Sequence, residues 1–110
     1  MLVVIIEYEL KPGVADEFGH ALTAMLERVQ DFDGYLGELP CRASQDDSRR
    51  VTISYWRDAE ALKAWRVDPE HRVIQERGRN DWLAWFTVRV LEQSREYGAG
   101  VRPGPPISAA

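Results

Sequence analysis

Residues 2–30 read LVVIIEYELKPGVADEFGHALTAMLERVQ. Within them, the spacing between apolar side chains changes from about two residues to about four. Residues 2–10 are rich in β-branched side chains and alternate towards their end, which predicts a strand. Lys11-Pro12-Gly13 then breaks the pattern. Residues 14–30 carry apolar side chains at i, i+4, i+7, i+8, i+11, i+12 and i+15, which predicts an amphipathic helix. The chain therefore starts as a strand, a turn and a helix.

Two further strands are predicted after this helix. Residues 35–44 form the weaker one, and because they contain Gly37 and Pro40 we expect an edge strand or a bulge. A polar turn at 45–49 precedes residues 50–56, which alternate between apolar and polar side chains. The two segments together predict a β-hairpin.

Helix-start signals follow the hairpin. Asp58 is a candidate N-cap of a short helix. Asp68-Pro69 combines a cap with a proline at the first helical position, so we expect a longer helix from there to about Leu83. Residues 85–92 alternate again and predict a last strand, which could continue towards Tyr97.

The element order is therefore β-α-β-β-α-β, which predicts an α+β, ferredoxin-like fold with a four-stranded antiparallel sheet. Both helices would cover one face of the sheet, so the other face would expose Val, Tyr, Trp and Phe side chains to water. Packing two sheets face to face would bury them, and we predict a homodimer through the sheet faces. One domain is expected over residues 1–97, followed by a Pro/Gly-rich tail over residues 98–110.

The amino-acid composition excludes several kinds of partner and site but does not identify a function. The 110 residues include 14 Lys and Arg against 18 Asp and Glu, a formal net charge of −4, which argues against nucleic acid or an anionic membrane as partner. One cysteine and two histidines exclude an internal disulfide and a three-histidine metal centre within one chain. No apolar run reaches the roughly 18 residues of a membrane span, and the first residues lack the basic start of a signal peptide. We expect a cytoplasmic protein.

One row of side chains on the longer predicted helix could line a pocket. His71, Gln75, Gly78 and Trp82 follow at i, i+4, i+7 and i+11 and would share a face. The alternative is a surface histidine, a solvated amide and ordinary packing contacts. His71 is the candidate general base near neutral pH, and its place in the first turn of a helix would lower its pKa.

The remaining candidates have plainer interpretations. The four tryptophans all lie between Trp56 and Trp85, where most would serve as core residues. His20 is expected at the surface, and Cys41 as an inert buried thiol.

Residues 54–65, SYWRDAEALKAW, followed by Pro69-Glu70-His71, resemble the antibiotic biosynthesis monooxygenase (ABM) family. The resemblance extends from residue 2 to about residue 97. It implies a dimeric α/β barrel built from ferredoxin-like protomers, with a cavity between sheet and helices in each protomer.

Family oxygenases that act on aromatic polyketides use neither metal nor flavin. They deprotonate an electron-rich phenol or anthrone, and the carbanion passes an electron to dioxygen; the radicals then recombine and lose water to give a quinone. The resemblance thus implies a cofactor-independent monooxygenase for a small aromatic or quinol-like substrate. The site residues it suggests are Trp65 and His71 as catalytic residues, and Gln75, Tyr55 and Trp82 as substrate-binding residues, with no metal ligands.

Departures from the family pattern keep other functions open. Trp65 matches the helix tryptophan of the family, beside which the family oxygenases use an asparagine, whereas the only asparagine here is Asn80. Haem-degrading relatives place an asparagine and a haem-ligating histidine where this chain has Ile6 and Gln75, although His71 could ligate iron if the helix began differently. The alternatives are therefore a non-catalytic small-molecule-binding dimer, a haem-binding or haem-degrading protein, and a cyclase or isomerase with His71 as base.

Overall fold

Residues 1–101 are described by a computed structural model, in which strands and helices follow the predicted order. The elements are β1 (Leu2–Leu10), α1 (Ala15–Val29), β2 (Tyr35–Ala43), β3 (Asp46–Trp56), α2 (Ala59–Arg66), α3 (Pro69–Arg77), a π-helical turn (Gly78–Trp82) and β4 (Leu83–Glu92). Residues 102–110 of the predicted tail lie outside the described residues, so the boundary between domain and tail stays a prediction.

The four strands form one antiparallel sheet in the order β2-β3-β1-β4. This order confirms the ferredoxin-like fold and the edge position of β2. The register of β2 against β3 shifts between Tyr35 and Gly37, so the predicted irregularity is present as well.

Three predicted boundaries are wrong, each for a structural reason. Strand β3 starts at Asp46, because Asp46 pairs with Ala43 and extends the hairpin beyond the apolar part of the sheet. The longer helix stops at Arg77 and β4 begins at Leu83, with the π-helical turn between them. Strand β4 ends at Glu92, as predicted, and does not continue towards Tyr97, because its partner β1 begins at Leu2.

The core lies between the helices and the face of the sheet that carries the even-numbered residues of β1 and β3. Its buried cluster consists of Val4, Val29, Trp56, Ala61, Leu62 and Trp65. The predicted cap is present at the start of α2, where an Asp58 side-chain oxygen accepts a hydrogen bond from Ala61 N at 2.9 Å. The cap fixes the start of the helix that contributes Ala61 to this cluster. Trp56 satisfies its buried indole by donating to Ser54 Oγ at 3.0 Å.

The opposite face of the sheet, called here the open face, is not covered by any helix within the described residues, as predicted, and carries apolar side chains at the end of β1 near Leu2. Val3 lies opposite Tyr55 and Leu91, and Ile5 lies opposite Ile53, so these side chains share that face. Leu91 is 44% exposed. Among residues 1–101, no helix is long and apolar enough to cross a membrane.

Candidate functional site

Trp65 forms the floor of the candidate site. It belongs to α2 and is buried in the core cluster. The Phe32 ring meets it edge-on, with ring centroids 4.8 Å apart and planes at 73°. The His71 ring stacks on it at 4.0 Å and 16°. The structure therefore brings the two predicted catalytic residues into direct contact.

His71 is held in that position by two hydrogen bonds to neighbouring groups. Its backbone N–H donates to Asp68 Oδ2 at 3.0 Å, which is the predicted cap of α3. Its ring Nδ1 lies 3.0 Å from the Trp65 carbonyl oxygen. A carbonyl can only accept, so Nδ1 carries the proton and the neutral ring keeps its lone pair on Nε2.

Nε2 of His71 is free to act. Within the described part of the chain it makes no hydrogen bond, and it is not sealed from solvent. Burial lowers the pKa of His71, outweighing the Trp65 carbonyl and Asp68, which both raise it. The pKa of His71 is lowered, as predicted, but the leading cause is burial and not the position of the residue in the first helical turn. The ring is therefore neutral, and able to accept a proton, at neutral pH.

Asp68 is fixed in turn by Arg28 of α1. Arg28 donates through Nε to Oδ2 at 2.8 Å and through Nη2 to Oδ1 at 2.7 Å, a bidentate pair. These hydrogen bonds lower the pKa of Asp68 to about 2. The Arg28 guanidinium also lies 6.0 Å from the centre of the Phe32 ring. Arg28 and Phe32 thus support the site, although sequence reasoning missed both, because neither is near Trp65 in sequence.

Gln75 lies one helical turn beyond His71 on α3, at the edge of an open groove. The groove has a volume of ≈ 620 Å³ and is lined by Arg66, Val67, Arg72, Gln75, Glu76 and Arg79. The structure therefore places Gln75 in this groove, whose lining includes neither Trp65 nor His71.

Tyr55 and Trp82 are not brought together with the other predicted site residues. Tyr55 lies on the open face, on the other side of the sheet from Trp65. Trp82 is 1% exposed and packs edge-on against Phe18 at 5.9 Å, with Arg77 over its ring at 4.7 Å.

The predicted row of His71, Gln75, Gly78 and Trp82 breaks at the π-helical turn, which rotates the chain less per residue than an α-helix. Trp82 Nε1 is buried without a hydrogen-bond partner among residues 1–101. A role for Trp82 in substrate binding stays a prediction, at a place separate from His71.

The other candidates are resolved more simply. His20 is exposed, as expected. Cys41 is half-buried, not fully buried as predicted, because β2 is an edge strand and its open face is uncovered. Within residues 1–101, no three His, Cys, Asp or Glu side chains are grouped so that they could hold a metal ion.

One polar pair on the helix side of the sheet was not predicted. The Tyr35 hydroxyl donates to Glu38 Oε1 at 3.3 Å, and burial raises the pKa of Glu38. The only signal in the sequence for this pair was the alternation along the strand, because it puts Glu38 on the side of the sheet that faces the helices.

Comparisons with known proteins bear on this arrangement. Residues 1–77 match the profile of a family described as antibiotic biosynthesis monooxygenase. The chain belongs to this family. The protein YqjZ of Bacillus subtilis, which is uncharacterised, is 33% identical over 79 residues, or 72% of this chain and 68% of YqjZ.

Two further members of the comparison have a described activity. The jasmonate monooxygenase of Pyricularia oryzae is 26% identical over 90 residues, 82% of this chain, but this chain spans only 42% of that enzyme. A crystallised mutant of SnoaB, a cofactor-independent oxygenase from Streptomyces nogalater, superimposes with a TM-score of 0.75 at 15% identity. The match covers 86% of this chain and 94% of SnoaB, and it shows a shared fold.

This ABM family member has no asparagine beside Trp65. Asn80 is exposed in the π-helical turn, where its backbone carbonyl accepts a hydrogen bond from Lys11 Nζ at 3.1 Å. The polar side chain that contacts the Trp65 ring is His71. In this ABM domain, the His71 imidazole therefore stacks on Trp65 in the part of the chain that the structure describes.

Proposed function

We propose that this protein is a cofactor-independent monooxygenase that oxidises a small aromatic, anthrone-like or quinol-like substrate with dioxygen. The observation that carries the proposal is the His71 ring, stacked on Trp65 with Nδ1 held by a carbonyl and Nε2 free. Membership of the ABM family and the likeness to a monooxygenase and to an oxygenase support the reaction class.

His71 starts the reaction by removing a proton. Its neutral Nε2 accepts the proton from the acidic C–H or O–H group of the substrate, leaving a carbanion or phenolate. The anion passes one electron to dioxygen, and the resulting radical pair combines into a peroxide. The proton returns from His71 to the peroxide, which loses water and leaves a carbonyl. For anthrone, the balance is anthrone plus dioxygen to anthraquinone plus water.

Trp65 and Gln75 position the substrate in this proposal. Trp65 is 8% exposed, and an aromatic ring of the substrate can pack against the stacked Trp65 and His71 rings. The Gln75 amide can donate a hydrogen bond to a substrate oxygen that becomes negative on deprotonation. The hydrogen bond favours the anion over the neutral substrate at the moment of proton transfer, whereas the packing on Trp65 positions both forms.

Oxygen uptake with anthrone tests the proposal. We expect uptake by the wild type, a loss of about 100-fold or more in His71→Ala, as is typical for removal of a general base, and a smaller loss in Trp65→Phe. His20→Ala is the matched control, because it removes the other histidine from an exposed position. Uptake that is equal in wild type and His71→Ala would reject the assignment of His71.

Haem binding is the second candidate, because the free Nε2 could also ligate iron. Titration with hemin separates the two functions. A saturable Soret band at one hemin per chain, lost in His71→Ala and kept in His20→Ala, would favour haem. The absence of a specific band is the result expected for the cofactor-independent reaction.

A further inference from the structure

The groove that contains Gln75 is lined in part by positively charged side chains, although the chain as a whole is acidic. Three arginines from three elements line it: Arg66 at the end of α2, Arg72 on α3 and Arg79 in the π-helical turn. The whole chain has a net charge of −4, so the groove is more positively charged than the chain as a whole. The volume of the groove, ≈ 620 Å³, lies in the range of small-molecule sites.

The three guanidinium groups have no acidic partner in the described part of the chain. Other arginines do, since Arg28, Arg57 and Arg77 each form ion pairs with carboxylates. Glu76 lines the same groove, yet no ion pair joins it to any of the three. Arg79 is positioned by an aromatic contact instead, 5.9 Å from the centre of the Phe86 ring. The groove therefore keeps hydrogen-bond donors and charge available for a ligand.

The position of the groove links it to the proposed reaction. Arg66 and Arg72 directly follow Trp65 and His71 in sequence, and Gln75 lies one turn beyond His71. The groove lining includes Gln75 but neither Trp65 nor His71, so a substrate held by the arginines would have to extend from the groove to the stacked pair. Planar guanidinium groups suit a carboxylate especially well, because two N–H groups can donate to its two oxygens at once.

We propose that this groove binds a carboxylate on the aromatic substrate, so that the substrate class is an aromatic acid. The inference rests on the proposed function and deepens it. Arg66, Arg72 and Arg79 hold the acid group, while the ring that is oxidised lies at Trp65 and His71. The three arginines would then select acids over neutral aromatic compounds of the same shape.

A binding experiment tests the groove without requiring turnover. Anthraquinone-2-carboxylate and anthraquinone-2-carboxamide have the same rings and differ in the acid group, and calorimetry gives the affinity for each. We expect the carboxylate to bind about tenfold more tightly at low salt, with each Arg→Gln substitution at 66, 72 or 79 lowering that preference about two- to fivefold. Arg95→Gln, in the coil after β4, removes the same charge outside the groove and should preserve the preference.

Two results would overturn the inference. Equal wild-type affinity for the two probes would mean that the groove does not recognise the acid group. A preference that persists in the combined R66Q/R72Q/R79Q variant would place recognition elsewhere. Circular dichroism of each variant checks that a lost preference does not reflect unfolding.

Kinetics then separate this inference from the proposed function. With anthrone-2-carboxylate, the arginine variants should raise KM and leave kcat unchanged, whereas unsubstituted anthrone should show neither effect. If the wild type consumes oxygen with neither compound, the proposed function fails while the binding result still decides the groove. If it oxidises both with the same KM in wild type and variants, the groove assignment fails and the proposed function stands.

Discussion

His71 is the residue on which the proposed chemistry depends, and its reactivity is set by its neighbours. The Trp65 carbonyl fixes the tautomer, the Trp65 ring covers one face of the imidazole, and burial disfavours its charged form. The sequence was enough to single out His71 and Trp65, because histidine has a suitable pKa and the motif is characteristic. It could not show that the two rings stack, since that depends on how α2 and α3 meet.

The lowered pKa of His71 predicts the pH dependence of the reaction. Neutral His71 is the active base, so kcat/KM for oxygen uptake should rise with pH through an apparent pKa below the ordinary 6.5 and then level off. A pH–rate profile measures it, and an NMR titration of the imidazole assigns it. An apparent pKa at or above 6.5 in the pH–rate profile would contradict the assignment to His71. So would a rise with pH that persists in His71→Ala.

At the scale of elements, the bidentate Arg28–Asp68 pair joins α1 to the start of α3. Asp68 was predicted as a cap from its place before Pro69. Its second role could not be predicted, because the partner is 40 residues away in sequence. The same limit applies to Phe32, which follows α1 and packs on Trp65 of α2.

Asp68→Asn should destabilise the fold, because an amide can still cap α3 but cannot form the charged pair with Arg28. The wild-type contribution of the carboxylate is fully present above its ordinary pKa of 3.8 and is lost as the pH falls towards about 2. The difference in unfolding free energy between wild type and variant should therefore be constant near neutral pH and shrink below pH about 4.

Urea titrations at several pH values measure that difference. Asp33→Asn is the matched control, because Asp33 forms a bidentate pair with Arg57 at the surface. A difference for Asp68→Asn that is no larger than for Asp33→Asn would show that the contact between α1 and α3 does not depend on this pair.

The turn after α1 depends on a glycine at residue 34. Gly34 has φ 85°, and a Cβ there would collide with Ala61 Cβ of α2. Gly34→Ala should therefore cost more than the roughly 1–2 kcal/mol expected for a left-handed alanine alone.

Gly13→Ala supplies the reference value for that substitution. Gly13 has φ 80° and nothing within 4 Å of an added Cβ, so only the backbone term applies. Thermal or urea unfolding of both variants gives the two costs. Equal destabilisation would mean that α2 and the turn are not in close contact.

At the scale of the whole molecule, the open face of the sheet has no helix of residues 1–101 packed against it. The element order and the alternation of β1 and β3 were sufficient to predict both the fold and this open face. The starts of β3 and β4 were not predictable from composition, because they are set by the partners Ala43 and Leu10 across the sheet.

Pairing of two open faces predicts a dimer in solution. Ile5 lies opposite Ile53 near the middle of that face, so Ile5→Lys should weaken the dimer by placing a charge at the interface. Val73→Lys is the control, because Val73 is already 58% exposed on α3. Light scattering after gel filtration measures the mass. A wild-type monomer at micromolar concentration would reject the dimer.

Oxidation of anthrone under ¹⁸O₂ tests the central claim most directly. A monooxygenase places one atom of dioxygen in the new carbonyl and the other in water. Mass spectrometry should therefore find anthraquinone with one ¹⁸O, formed by wild type and His20→Ala and lost in His71→Ala. Anthraquinone without label, or labelled product formed equally by His71→Ala, would contradict the account.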